Sequence, residues 1–260
     1  MSILSMPSSS PRQNLTQDFG LGKISINYSR PLIKGRTVFS ENSILAPFGK
    51  LWRFGADAAT QINFTDDVEM EGQKVQAGTY LVFAIPQETK WKIILNTDIA
   101  AGLRGYDAAK NILEIEVPVQ NTTVFSETFT IQLHSFGYEA CILEVIWANA
   151  SVSIKIGTHI VARLKESFEA QMQGEKKPYF QAAIFNLMLA GDLAKALEYI
   201  DIALAEVPGA YYMHFVKANI EKLLGNSEAA KKTAEQCFEA AVAAGSNDYQ
   251  RLAKDFISRN

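Results

Sequence analysis

The first half of the chain alternates apolar and polar residues with a period of two, which predicts β-strands. In KISINY, for example, Ile24, Ile26 and Tyr28 alternate with Ser25 and Asn27. Comparable patterns occur in TQINF, VEMEGQKVQAGTYLVFAIP, WKIILN, ILEIEVPV, ETFTIQLHSF and ACILEVIWANASVSIKI. A series of about eight or nine short strands with little helical pattern between them favours an all-β antiparallel sandwich or jelly roll.

After Gly157 the period changes, and apolar residues stand four positions apart in THIVARLKESFEAQMQ. This is the spacing of an amphipathic helix, and the rest of the chain is rich in Ala, Leu, Glu and Lys. We therefore predict three parts: a flexible lead-in over residues 1–14, a β-sandwich domain over 15–156 and an all-α region over 157–260.

The helical region contains two stretches that are related by a spacing of 34 residues, the length of a tetratricopeptide repeat. Gly191 and Gly225 are separated by this distance, and so are Ala196 and Ala230. The first stretch keeps the tetratricopeptide pattern better than the second. Two repeats are too few for a free-standing solenoid. We therefore expect the helices to pack on the β-domain, as a docking surface for a protein partner or as a brace.

The composition and charge of the chain argue against nucleic-acid binding and against a membrane-spanning segment. The chain has 260 residues, of which 48% are hydrophobic and 20% charged, with a net charge of −3. Such a charge gives no overall positive field for nucleic acid. No apolar stretch approaches the roughly 18 residues of a membrane helix, so we predict no membrane span. Cys141 and Cys237 lie in a predicted strand and a predicted helix, and we expect both to be buried and unpaired.

One polar segment departs from these patterns and is the candidate site. It is NYSRPLIKGRTVFSENSILAPFGKLWRFGADAAT, residues 27–60, which we call the connector. Its Pro and Gly residues predict turns. The planar guanidinium group of arginine can donate paired hydrogen bonds to two acceptor atoms. Tyrosine and tryptophan offer a flat aromatic face with a polar group at one end. We therefore predict a ligand site formed by Tyr28, Arg30, Lys34, Arg36, Trp52 and Arg53.

Four ordered motifs resemble the DUF2911 family, a bacterial domain of unknown function. They are NYSRPLIKGRTVF, LAPFGKLWRFGADAAT, AGTYLVFAIP and WKIILN. The resemblance covers roughly residues 10–156 and implies no established activity. It marks the six candidate residues and Thr60 as motif side chains, without roles. It also implies a periplasmic or secreted location, with the cytoplasm as the alternative, although the first residues lack the features of a signal peptide.

The sequence lacks the residue patterns of common catalytic and metal sites. The three histidines lie far apart, and the acidic stretch FTDDVEMEG lacks the ligand spacing of a calcium loop. There is no Gly-x-Ser-x-Gly motif for a nucleophile. We therefore predict no metal, no cofactor and no catalytic residue. Only a hypothesis of enzymatic function would give a catalytic role, to Tyr28.

Three hypotheses of function remain. The first is a non-enzymatic binding protein that holds a small anionic or carbohydrate ligand at the connector. The second is a hydrolase or lyase in which Tyr28 acts as acid or base, tuned by the arginines. The third is purely structural, with the cations fixing a long loop to the sheet. Arginines that line an open cleft favour binding or catalysis, and arginines whose donors are all held by carbonyls and acids favour the structural role.

Overall fold

The structure is a computed structural model that describes residues 6–259. It divides into two compact units, one ending at Ile160 and the other beginning at Val161. The first consists of strands and the second of helices, which confirms the predicted fold class. Residues 6–11 of the predicted lead-in lie outside helices and strands, and the first strand already begins at Arg12. Residues 1–5 of that lead-in lie outside the described residues.

In its described residues, the first unit is an antiparallel sheet of nine strands. Along the sheet, the strands follow the order β1-β2-β3-β6-β7-β8-β9-β4-β5. Their bounds are β1 (Arg12–Phe19), β2 (Gly22–Ser29), β3 (Thr60–Phe64), β4 (Val68–Met70), β5 (Gln73–Val75), β6 (Gly78–Pro86), β7 (Lys90–Asn96), β8 (Asn111–His134) and β9 (Ala140–Gly157). A short 3₁₀ turn, Ala108–Lys110, precedes β8.

The long strand β8 joins the two layers of the sandwich. Its first part, residues 111–118, pairs with β7, and its second part, residues 119–134, pairs with β9. The pairing with β9 is irregular between Asn121 and Thr130. Such irregularities bend and twist a strand, so one strand passes from one layer into the other. The two patterns ILEIEVPV and ETFTIQLHSF, which we expected as separate strands, therefore belong to a single strand.

The core lies between the two layers and contains a cluster of aromatic rings. We call this group the Trp52 cluster, because the ring of Trp52 lies 5.2–6.1 Å, centroid to centroid, from five others. The five are Phe39, Phe54, Trp91, Phe129 and Trp147. Trp52 and Trp147 are stacked at 17°, and most other pairs meet edge to face, a favourable geometry for aromatic rings.

The strands β6 and β7 are buried on both faces. One face of each contributes to the main core, and the other forms a second cluster with Leu81, Phe83 and Ile94. Leu103 and Tyr106, from the loop after β7, cover this second cluster. Burial on both faces explains why TYLVFAIP is a continuous apolar run where the neighbouring strands alternate.

Six α-helices follow the sheet in the part of the chain that the structure describes. They are α1 (Ile160–Gln171), α2 (Tyr179–Phe185), α3 (Leu193–Glu206), α4 (Tyr211–Leu223), α5 (Ser227–Ala243) and α6 (Asn247–Arg259). A π-helical turn, Asn186–Ala190, continues α2. Of the helices in the described residues, none has the length and apolar character that crossing a bilayer requires.

The 34-residue spacing seen in the sequence has a counterpart in the helices. Gly191 and Gly225 stand at the same point before α3 and α5, and both have left-handed backbone, with φ of 70° and 83°. Ala196 and Ala230 are both fully buried at corresponding positions of these helices. Small residues at these positions allow neighbouring helices to approach closely.

Enlarging one of these buried alanines tests the helix packing. Ala230 is fully buried in a cluster that includes Ala218, Ala234 and Phe256, so Ala230→Leu should lower the free energy of unfolding by about 1–3 kcal/mol through overpacking. The adjacent Ala229 is exposed, and Ala229→Leu should change it by less than about 0.5 kcal/mol. Urea unfolding followed by the helical circular dichroism signal measures both. Equal losses in the two variants would contradict the packing described here.

Candidate functional site

The connector returns to the sheet at two places and is fixed there by backbone hydrogen bonds. Near its start, the Ile33 amide donates to the Glu127 carbonyl of β8 over 3.0 Å, and residue 129 of β8 donates back to residue 31 over 3.0 Å. Near its end, Trp52 and Ala84 of β6 exchange both backbone hydrogen bonds, at 2.7 and 2.9 Å. The connector is therefore an ordered part of the sandwich despite its polarity.

Trp52 anchors the connector in the core. Its side chain is 3% exposed and lies at the centre of the aromatic cluster. The indole Nε1 donates to the Gly55 carbonyl over 3.0 Å, so its polar tip is satisfied within the connector. In this conformation the ring contacts protein on its sides and leaves no open face for a ligand.

Tyr28 links the two layers of the sandwich. Its side chain is 1% exposed, and its hydroxyl lies 3.0 Å from Gln13 Oε1 and 3.2 Å from the Ile131 carbonyl. The same hydroxyl accepts a hydrogen bond from the Ile131 amide over 3.0 Å. Burial raises the pKa of Tyr28, and the smaller opposing effects of the Ile131 backbone and of Arg30 do not reverse this. A tyrosine that acts as a base near neutral pH needs the opposite shift.

The three arginines of the candidate set donate mainly to carbonyl groups. Arg30 donates from Nε to the Phe129 carbonyl over 3.2 Å and from Nη2 to Thr130 Oγ1 over 2.8 Å. Arg36 donates to two carbonyls of its own turn, at 2.9 and 2.6 Å. Arg53 donates to the carbonyl of a residue four positions later. These contacts hold the guanidinium groups in place.

Carbonyl contacts do not neutralise the charges of the connector. Within the part of the chain that the structure describes, no carboxylate forms an ion pair with Arg30, Lys34, Arg36, Lys50 or Arg53. Asp57, the acidic residue nearest to Arg53 in the sequence, accepts from Arg53 through its backbone carbonyl and not through its carboxylate. Elsewhere in the same unit, Lys90 and Lys92 pair with glutamates of β8 at 2.8 and 3.1 Å. The connector therefore carries an excess of positive charge.

The six predicted residues fall into two groups. Tyr28 and Trp52 lie inside the core, whereas the four cations lie at the surface, Arg30 and Arg53 half-exposed and Lys34 and Arg36 exposed. The turn after Arg53 lies against the residue before Arg30, because a Cβ atom added at Gly55 would lie 3.0 Å from the Ser29 carbonyl oxygen. The structure thus brings the stretches around Arg30 and Arg53 to the same corner.

The connector also contains strained backbone. Lys34, Phe39, Phe54 and Asp57 have φ between 48° and 58°, a region that costs non-glycine residues on the order of 1–3 kcal/mol each. They are four of the seven such residues in the described part of the chain. Strain of this kind persists only where the surroundings fix the backbone, and it is concentrated at functional sites.

The two cysteines are buried, and the acidic groups of the described residues form no metal-binding cluster. Cys141 of β9 and Cys237 of α5 are buried and free, and burial raises the pKa of each thiol to about 11. This confirms that they are two buried, unpaired side chains in different parts of the protein. Among residues 6–259, no three His, Cys, Asp or Glu side chains come together in a way that could hold a metal ion.

The structure adds a polar surface that the sequence did not reveal. On the outer face of β1, β2 and β3, a shallow depression of about 270 Å³ is lined by uncharged side chains, including Asn14, Thr16, Ser25, Asn27, Gln61 and Asn63. The strand register places Asn14 beside Asn27 and Asn27 beside Gln61. The alternation in KISINY and TQINF predicts that the polar residues of β2 and β3 share one face. The sequence analysis missed β1, which supplies the rest of this polar face, so it could not predict the depression.

Comparison with known proteins identifies the first unit. A family model described as "Protein of unknown function (DUF2911)" matches residues 10–156. The match covers more than half of the chain and includes the whole connector, so the chain belongs to the DUF2911 family. The helices from α1 onward lie outside the matched residues. A comparison with curated proteins finds no match.

The fit of the connector against β2 predicts an effect at Gly55. This residue has φ of +151°, and an added Cβ would lie 3.0 Å from the Ser29 carbonyl. Gly55→Ala should therefore destabilise the β-unit by about 2 kcal/mol or more through strain and crowding. Gly49 also has positive φ, but nothing lies within 4 Å of its added Cβ, so Gly49→Ala should cost about 1 kcal/mol. Thermal and urea denaturation compare the two, and a larger loss at Gly49 would refute this fit.

Proposed function

We propose that this member of the DUF2911 family is a non-enzymatic binding protein whose connector holds the anionic group of a small ligand. The observation that carries the proposal is the set of five connector cations that have no carboxylate partner in the described residues. Unbalanced positive charge at a protein surface attracts anions. Arginine, in addition, binds carboxylates and phosphates through paired hydrogen bonds. Small inorganic anions and acidic carbohydrates are the ligand classes that fit.

The carbonyl contacts of the arginines support this proposal by limiting their motion. Arg30 is held through Nε and Nη2, and Arg53 through Nη1. Each keeps further N–H groups for a ligand, because a guanidinium has five. Side chains that are already ordered lose less conformational entropy on binding. In this arrangement Tyr28 and Trp52 support the site from the core, and Lys34 and Arg36 form its exposed rim.

The test measures binding of inorganic phosphate, sulfate, glucuronate and uncharged glucose by calorimetry and by the shift in melting temperature. We expect the anions to bind and glucose to bind more weakly. Arg53→Ala should abolish anion binding, and Arg53→Lys should weaken it at least about fivefold because the paired hydrogen bonds are lost. Lys92→Gln serves as the matched control, since Lys92 is a paired cation of β7. An anion effect that survives in Arg53→Ala would contradict the proposal.

A structural role for the cations is the second candidate, and the carbonyl contacts favour it. Arg30 and Arg36 tie the connector to β8 and to its own turn. If no anion raises the melting temperature, and Arg53→Ala lowers the free energy of unfolding by about 1–3 kcal/mol, the arginines serve as braces. The same set of variants therefore distinguishes binding from bracing.

The enzymatic alternative has the least support from the geometry. It requires Tyr28 to exchange protons with a substrate, whereas the hydroxyl is buried among Gln13 and Ile131 and its pKa is raised. A buried phenol with protein partners on both sides is suited to fixing the two layers together.

For the helical region we propose a tetratricopeptide-like architecture with a docking surface for a protein partner. Supporting observations are the equivalent positions of Gly191 and Gly225 and the burial of Ala196 and Ala230 at the 34-residue spacing. Helix pairs stacked in this way present extended surfaces that proteins with such repeats use for binding.

We further propose a periplasmic or secreted location, on the family resemblance alone. Fractionation of cells that express the protein at its natural level, with a cytoplasmic and a periplasmic marker followed in parallel, tests the location. We expect the protein in the periplasmic or extracellular fraction. Recovery together with the cytoplasmic marker would support the alternative.

A further inference from the structure

The strand β1 lies at one end of the sheet, and its outer edge has no backbone partner among the described residues. The Arg30 amide donates to the Pro11 carbonyl, so this pair is a hydrogen-bonded one. Hydrogen-bonded and non-hydrogen-bonded pairs alternate along an antiparallel ladder. The residues whose N–H and C=O groups point away from β2 are therefore Arg12, Asn14, Thr16 and Asp18.

This edge lacks the features that block association of exposed strands. Natural sheets protect their edges with lysines, prolines, bulges or very short strands. The strand β1 is eight residues long, its register with β2 is regular, and it contains no proline. Between Gln13 and Gln17 it carries no charge, and its two charged residues stand at opposite ends. An edge of this kind is a template for another strand.

We propose that β1 pairs antiparallel with β1 of a second copy of the chain, across a two-fold axis at Leu15. In this register Arg12 of each copy lies opposite Asp18 of the other, and Asn14 lies opposite Thr16. All four residues have outward backbone groups, so each opposed pair exchanges its N–H and C=O bonds. A shift of two residues in either direction keeps some backbone bonds but separates the opposite charges. Charge complementarity therefore selects the register.

The side chains fit this pairing on both faces of the sheet. Arg12 and Asp18 are both exposed on the outer face, where Arg12 contacts Asn27 and Asp18 pairs with Lys23. Both contacts leave charged atoms accessible to a second copy. On the inner face, the half-buried Leu15 would meet its own counterpart in a non-hydrogen-bonded pair, where opposing side chains lie closest. Pairing of a single edge strand buries little area, so we expect a weak dimer.

This inference is independent of the proposed anion site, because none of its residues belongs to the connector's cations. Sedimentation equilibrium of the full chain over a range of protein concentrations measures the dimer. Asp18→Arg places like charges opposite each other at both ends and should weaken dimerisation roughly tenfold. The double variant Arg12→Asp with Asp18→Arg should restore it. Lys23→Gln, which removes only the internal ion pair of Asp18, should leave dimerisation unchanged.

Cross-linking tests the register itself. Leu15→Cys places two thiols directly opposite each other across the axis, at a separation that a disulfide can bridge, and oxidation should give a covalent dimer. Gln13→Cys lies opposite Gln17 of the second copy and should not cross-link, and the native cysteines are buried. A protein that stays monomeric, a charge reversal without effect, or cross-linking at Gln13 in place of Leu15 would each overturn the proposal.

Discussion

The burial of Trp52 between the two layers is the interaction on which the connector depends. Its ring lies at the centre of the aromatic cluster, and its backbone exchanges hydrogen bonds with Ala84 of β6. Together with the backbone bonds of residues 31 and 33 to β8, this anchor near the end of the connector keeps a long polar segment ordered. Because the connector is fixed, its arginines donate to carbonyl groups that have fixed positions. The connector residues with strained backbone keep their conformation for the same reason. The charged side chains of the connector therefore project from an ordered backbone.

The sequence predicted those parts of the fold in which burial follows the local period. Alternation in KISINY placed Tyr28 on the same side as Ile24 and Ile26, and all three are buried. The strand β1 was missed because Gln13 and Gln17, which flank Leu15 on its inner side, are polar residues at a half-buried edge. The continuity of β8 was missed because the irregular pairing around residues 121–130 interrupts the period of two.

For the candidate site, residue type singled out the connector but could not assign its contacts. The partners of Tyr28 and Arg30 lie on β8, about a hundred residues away along the chain, and no local pattern encodes such a pairing. Equally, no local pattern shows that Asp57 presents a carbonyl and not its carboxylate to Arg53. The excess of charge at the connector became visible only once these contacts were known.

The sharing of β8 between the two layers has a consequence for how the protein forms. Neither layer is complete without this strand, and Tyr28 joins β2 to residue 131 across 103 positions of the chain. Contacts so distant in sequence require large loops to close before they stabilise anything, which slows folding. During synthesis, the apolar faces of the strands made first therefore remain exposed until β8 and β9 emerge from the ribosome. The β-unit is expected to form late and in one step, at a time when the ribosome has already begun to make the helices.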